Sequence, residues 1–328
     1  MKMRTRYLVL IAFMLPLFSV PAAAQTCSCA GAPLLNSQSM GTTEKGNLVA
    51  GFTIENNIID HLFTGSDQIN DTNQERNTVT GLLELNYGIT ERLSVSTTLT
   101  FIRKNRTTGL QTPGLATTLS ASGLGDGLML LKYEVIEPSL WSPYSLAVGG
   151  GMKIPFGSTS FTRNGLSLNA DMQPGTGAWD GVGWLFASRT FRASNLTLYS
   201  NTSYRRTGTN ERFTEADDYR FGNELVTALV LSGPLFNRFS FNLNVKYRSV
   251  SSDRRNDESL PNTGGKWLSV RPSVAYGLSD RLSLQVAAER PLFQTLNGTQ
   301  PTTAHVVSAS LMFSFNKGGG GFVRGTSQ

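Results

Sequence analysis

Tyr87–Val95 reads YGITERLSV, and Tyr276–Leu284 reads YGLSDRLSL. Each copy opens with turn chemistry: a glycine free in its backbone angles, then a hydroxyl residue and a carboxylate whose oxygens can accept from nearby N–H groups. Beyond each turn the residues alternate. Leu93, Val95, Thr97, Leu99 and Phe101 share one parity, and Ser94, Ser96, Thr98 and Thr100 the other. After the second turn, Leu282, Leu284, Val286 and Ala288 alternate with Ser283, Gln285 and Glu289. Period two over that length makes a strand with one apolar and one polar face. Each copy is therefore a tight β-hairpin, and GPLFNRFSF (Gly233–Phe241) reads as a looser third.

The same alternation marks twelve segments: Asn47–Asp60, Asn77–Ile89, Arg92–Lys104, Leu124–Ile136, Pro143–Pro155, Trp179–Arg189, Asn195–Arg206, Arg220–Leu231, Arg238–Val250, Lys266–Gly277, Arg281–Phe293 and Ala304–Phe315. The links between them alternate long and short. Short ones are Gly88–Glu91, Glu137–Ser142, Thr190–Ser194, Leu235–Asn237 and Leu278–Asp280. Long ones, rich in Asn, Thr, Gly, Asp and Ser, include His61–Arg76, Asn105–Gly123 and Phe156–Ala178. Most segments have the ~9–11 residues that a tilted strand needs to cross a bilayer. The pattern predicts an all-β fold: an antiparallel up-and-down transmembrane barrel of about twelve strands, with short periplasmic turns and long extracellular loops. A soluble sandwich or barrel shares the alternation with its faces exchanged, and alternation does not say which face points in.

The ends agree with export. Lys2, Arg4 and Arg6 precede the apolar run Leu8–Val20, and Ala22–Ala24 forms an A-x-A site before Gln25. Residues 1–24 read as a signal peptide cleaved near Ala24. Without the leader's three cations, 26 basic residues face 23 acidic ones, too mild a balance for a nucleic-acid partner. Residues 25–46 read as a periplasmic or plug segment, 47–315 as the barrel, and 316–328 as a Gly-rich tail. The last strand alternates Val307, Ala309, Leu311, Phe313 and Phe315 with smaller or polar residues, resembling the signal read by the barrel-assembly machinery. Trp141, Tyr144, Tyr87 and Tyr276 near short turns, and Trp179 and Trp267 near long loops, suggest two interfacial girdles.

With the apolar parity toward lipid, the other parity places Glu55, Glu84, Asp126, Lys132, Glu134, Lys153, Arg205, Lys246, Arg248, Arg271 and Glu289 in the lumen. Five acids and six bases nearly balance, so they read either as an ion-pair network holding the barrel's shape or as a mixed-charge lining that wets a path. No ring of a single sign argues for ion selectivity. Gly149–Gly151 suggest a bend or a close approach, and Pro272 a break in pairing.

Three motifs occur in order: GLGD (Gly123–Asp126) leading into LMLLKY (Leu128–Tyr133), KIPFG (Lys153–Gly157), and QPGTGAWD (Gln173–Asp180). Over roughly Gly123–Gly183 this order resembles the outer-membrane transporter family linked to the meta-pathway of phenol degradation. The resemblance implies passage of a small hydrophobic or aromatic solute, and implies wall and loop structure for the motif positions.

Cys27 and Cys29 are the only cysteines. In an oxidising periplasm they suit a disulfide, a linkage to a periplasmic partner, or a soft metal such as Cu(I). Two thiolates do not close a zinc site, and no motif calls for a cofactor. An outer-membrane phospholipase would need a Ser–His pair; His61 and His305 have no serine at matching parity and spacing, and Gly-x-Ser-x-Gly is absent, so an enzyme is not expected. The reading is a Gram-negative outer-membrane channel, in contact with membrane lipids, for passive passage of a small solute. The alternative is a non-conducting anchor whose CxC segment engages a periplasmic partner.

Overall fold

A computed structural model describes residues 41–70, 73–112, 114–139, 141–214 and 217–315. Residues 1–40, which include the stretch read as a leader and Cys27 and Cys29, and residues 316–328 lie outside the described residues. Twelve antiparallel strands form the wall: β1 (Leu48–Ile59), β2 (Gln74–Gly88), β3 (Leu93–Thr108), β4 (Thr117–Leu124, resuming at Gly127–Ile136), β5 (Tyr144–Ile154), β6 (Asp180–Phe191), β7 (Leu196–Arg206), β8 (Glu224–Phe236), β9 (Phe239–Val250), β10 (Gly265–Gly277), β11 (Leu282–Leu296) and β12 (His305–Ser314). Each pairs with the next in sequence. β1 also pairs with β12, in unbroken register from Val49↔Ser314 to Ile58↔His305, so the sheet closes into a barrel.

The hairpin turns that begin at Gly88 and Gly277 share one hydrogen-bond pattern. Thr90 Oγ1 accepts from the N–H groups of Arg92 (3.3 Å) and Leu93 (2.9 Å). Ser279 Oγ accepts from those of Arg281 (3.3 Å) and Leu282 (3.1 Å). A true third copy is the turn at Ser139, whose hydroxyl accepts from the N–H groups of Trp141 and Ser142. GPLFNRFSF is built differently: β8 continues through a bulge between Pro234 and Phe236, and Asn237 turns the chain at φ 46°.

The faces are inverted relative to a soluble barrel. Phe52, Ile54, Leu83, Leu99, Phe101, Met129, Leu131, Val148, Leu185, Leu229, Leu243, Val274, Val286, Val307 and Leu311 all point outward and are exposed. Their polar neighbours, such as Ser94, Ser96, Thr98 and Thr100 on β3, are buried. A single closed sheet has nothing outside it to cover side chains, so burial here means the interior. An apolar belt around the barrel is stable against hydrocarbon and costly in water.

Two features of the wall differ from the sequence reading. Trp267 does not belong to a girdle. It points inward, buried among Ile59, Val250 and Leu296, and donates through Nε1 to Thr302 Oγ1 (3.0 Å). Exposed Trp141, Tyr144, Tyr87, Tyr276 and Trp179 keep their places near the strand ends. Strand β3 reaches Thr108 and β4 begins at Thr117, so the second long loop is short and the wall rises higher there. At Pro272, pairing between β10 and β11 lapses from Val270↔Arg290 to Ser273↔Ala287, as expected of a residue that lacks an N–H.

Outward placement of Leu131, near the middle of its strand, predicts that Leu131→Arg destabilises the barrel by about 2–4 kcal/mol in bilayers. Urea titration in lipid vesicles measures this.

Candidate functional site in the barrel lumen

The interior has two unlike walls. On β9–β12 and β1 the lining is ionic. Lys246 Nζ pairs with Glu289 Oε1 at 2.6 Å, Arg271 reaches both Glu55 (3.6 Å) and Glu289 (3.8 Å), and Arg271 also donates to Ser308 Oγ (2.7 Å). The chain of charge continues through β7–β9. Glu224 accepts from Arg248 (2.6 Å) and Arg205 (2.9 Å), and Arg205 approaches Asp180 at 3.6 Å. Charges removed from bulk water stay ionised only where partners of opposite sign replace the lost hydration.

Among the charges of β4–β8 lies an apolar patch: Leu128, Leu130, Ala147, Val182, Trp184 and Val226 form one buried cluster, with Phe186 packed on it and Tyr199 beside Phe186. Lys132 lies with its ammonium 4.7 Å over the Trp184 ring. Gly149 sits between them in the register Lys132↔Gly149↔Trp184. A β-carbon there would come 3.0 Å from the indole, so glycine is what lets the cation and ring meet across an intervening strand.

The three motifs read from the sequence converge on one buried knot at the extracellular end. The Asp126 carboxylate accepts from Lys153 Nζ (2.8 Å), the Thr176 hydroxyl (2.7 Å) and backbone N–H (3.1 Å), and the Gly157 N–H (3.2 Å). Lys153 also donates to Ala178 O and pairs with Asp180 at 3.4 Å. Gly157 and Gly175 touch so closely that a β-carbon on Gly157 would lie 2.5 Å from Gly175 Cα. The knot draws the long connection between β5 and β6 into the mouth, where its 3-10 turn Ala170–Met172 is buried.

At the periplasmic end, residues 41–47 cross beneath the wall. Gly46 N–H donates to Gly88 O (2.8 Å) and Gly88 N–H to Asn47 O (3.1 Å). A β-carbon at Gly88 would lie 1.9 Å from Glu44 O, so only glycine admits the crossing. Thr42 then donates to Glu134 on β4, whose other oxygen accepts from Ser145 (2.6 Å). Gly41 ends against the Phe186 ring on β6, five strands from β1 in a ring of twelve.

Of the eleven charged positions singled out by parity, ten fall into these contacts; Glu84 is half-buried and lies within electrostatic reach of Lys132. Parity missed Asp180 and Glu224, which join the same network, and Arg76, Lys104, Arg106 and Asp171, which gather at the mouth. Arg76 and Arg106 lie past the strand ends read from the sequence, and nothing periodic marks a loop that folds inward. Asp180 was hidden because on β6 the buried parity is the apolar one, Val182, Trp184 and Phe186.

The sequence model of the family described as "Putative MetA-pathway of phenol degradation" matches residues 41–299. No curated protein matches the sequence. Among solved structures, the COG4313 outer membrane channel from Pseudomonas putida F1 is similar with a TM-score of 0.68 at 11% identity, covering 85% of this chain and 98% of that one. A Pseudomonas aeruginosa FadL homologue (TM-score 0.44, 11% identity, 82% and 90% covered) and the NanC porin (0.44, 11%, 81% and 98%) are more distant. At these identities the likeness is one of fold.

Lys153→Met would leave Asp126 and Asp180 buried without their shared cation. The expected cost is about 3–5 kcal/mol, seen as a lower unfolding midpoint on heat-modifiability gels and partly restored by adding Asp126→Asn.

In the loop after β9, Asp253 accepts from the Tyr219 hydroxyl (2.7 Å) and the Gly222 N–H (2.8 Å). Burial pushes its carboxyl up to about 6, against the effect of both hydrogen bonds. A carboxyl raised in the folded loop holds its proton more tightly there than in the unfolded chain, so its contribution to stability is full at acid pH and is lost as pH rises through about 6. Amides of residues 251–264, corrected for intrinsic exchange, should therefore be better protected at pH 5 than at pH 7, and Asp253→Asn should abolish the difference.

Proposed function

The chain belongs to the MetA-pathway phenol-degradation family, and on that premise we propose that it is an outer-membrane channel for passive passage of a small hydrophobic or aromatic solute. One observation carries this reading: the aromatic wall of Trp184, Phe186 and Tyr199 is on the inside of a membrane barrel, where lipid does not require it. An interior serving only to hold the barrel's shape needs paired charge or small side chains. An apolar strip opposite a hydrated ionic wall instead gives a nonpolar ring a surface to move along while its polar edge stays wetted. The channel named in the Pseudomonas putida structure supports the same reading.

Passage is by diffusion. The ends of the path are narrowed by the inward-folded connection between β5 and β6 and by the strap of residues 41–44. Export by a leader cleaved near Ala24, and insertion by the barrel-assembly machinery through β12 and its terminal Phe313 and Phe315, complete the proposal.

Refolded into planar bilayers, the chain should give discrete open steps, and phenol should reduce the open current in a concentration-dependent way. Deleting residues up to Thr43 should raise the conductance. A correctly folded barrel that passes neither ions nor, in loaded vesicles, phenol would contradict the channel reading.

A further inference from the structure

Arg76 on β2 and Arg106 on β3 are directly cross-strand partners, and Lys104 lies one inward position below Arg106. Like charges placed opposite each other in a sheet repel and destabilise it, so anionic charge must hold this group together. The loop supplies some of it. Arg76 Nη1 meets Asp171 Oδ2 at 2.5 Å, and Lys104 Nζ donates to the backbone carbonyls of Asp171 (2.7 Å) and Gln173 (2.8 Å). Arg106 is within electrostatic reach of both Arg76 and Asp171, and its Nε is buried with no hydrogen-bond partner. One loop carboxylate thus pairs with Arg76 and lies in reach of Arg106, while Lys104 holds the loop's backbone carbonyls beside it. Asp253, also in reach of Asp171, has its oxygens engaged by Tyr219 and Gly222.

The other side of the same spot is apolar. In the register of β3 with β4, Arg106 faces Leu119 and Lys104 faces Ala121. Ala121 packs with Leu168 and Met172 of the loop, and Leu119 and Phe161 lie against them. The loop therefore presents a carboxylate to the cations and, one residue on, an apolar side chain to the neighbouring wall. Asp171–Met172 has the chemistry of a small amphipathic acid.

We propose that Arg76, Lys104 and Arg106 bind the carboxylate of a small solute with an apolar body, which takes the place of Asp171 while its body lies against Leu119 and Ala121. The planar forks of two arginines suit a carboxylate better than a single ammonium would. The loop is then a self-ligand: an acid of matching shape releases it, and a neutral molecule does not. This deepens the channel reading, on which the word solute rests, by naming the solute's charged end.

The test is calorimetric titration of the purified chain in detergent micelles with benzoate and with its neutral counterpart benzyl alcohol. Benzoate should bind at least tenfold more tightly. Arg106→Gln should weaken benzoate at least tenfold and leave benzyl alcohol unchanged, and Arg106→Lys should restore part of the loss. Asp171→Asn, which removes the competing carboxylate, should tighten benzoate at least threefold. The heat-modifiable gel band checks folding, and if Arg106→Gln fails to fold, Asp171→Asn decides. Equal binding of the two probes, no benzoate binding by either the wild-type chain or Asp171→Asn, or weaker binding by Asp171→Asn would overturn the proposal. Charge-selective binding by a barrel that conducts nothing would sink the channel reading and leave this site standing; conduction without it would do the reverse.

Discussion

The pairing of β1 with β12 is the constraint on which everything else rests. In hydrocarbon no water can satisfy an open sheet edge, and each orphaned backbone group there costs several kcal/mol. Closure removes both edges, and it also divides every strand into a lipid face and a lumen face. Once Val49 sits opposite Ser314, Phe52 and Ile54 must meet lipid and Glu55 must point inward. The outer belt and the charged interior are two consequences of one register.

An interior so enclosed must neutralise its own charge. It does so in chains rather than isolated pairs: Lys153 joins Asp126 to Asp180, Arg205 joins Asp180 to Glu224, and Glu224 accepts from Arg248. Sharing Asp180, Glu224 and Glu289 each between two cations ties neighbouring strands together and fixes the barrel's cross-section. Between these ionic groups β4–β8 carry an apolar patch, and its contrast with the ionic lining of β9–β12 and β1 gives the lumen a direction across its width. Glycine makes the close contacts possible: Gly149 under the Lys132–Trp184 pair, and Gly88 under the strap.

What the sequence made legible was whatever repeats. Strand positions followed from period two, with most ends within a few residues of those observed, because lipid imposes the alternation on nearly every strand. The hydroxyl turns at Thr90 and Ser279 were readable from their wording, whereas Ser139 makes the same turn in unlike words. Alternation failed on β6, where the lumen face is the apolar one, since a rule equating polar with inward has no room for an aromatic wall. It also failed at Trp267, whose position near a loop resembles a girdle although its ring is buried. The convergence of GLGD, KIPFG and QPGTGAWD on Asp126 is a tertiary fact: each motif looks like loop chemistry until Lys153, Gly157 and Thr176 are seen around one carboxylate. Asp171 carried no local signal at all, because its meaning comes from the arginines across the mouth.

The channel reading stands or falls with the aromatic wall facing the lumen and the apolar belt facing lipid. Fluorescence of a chain whose sole tryptophan is Trp184, the other three being phenylalanine, tests this directly in vesicles containing bromine-labelled acyl chains. With Trp184 in the lumen, its emission should be little changed by the bromolipid, and quenching should be strong when the sole tryptophan is instead placed by Leu131→Trp on the outer face. Strong quenching of Trp184 itself would put that wall against lipid and contradict the assignment of the two faces.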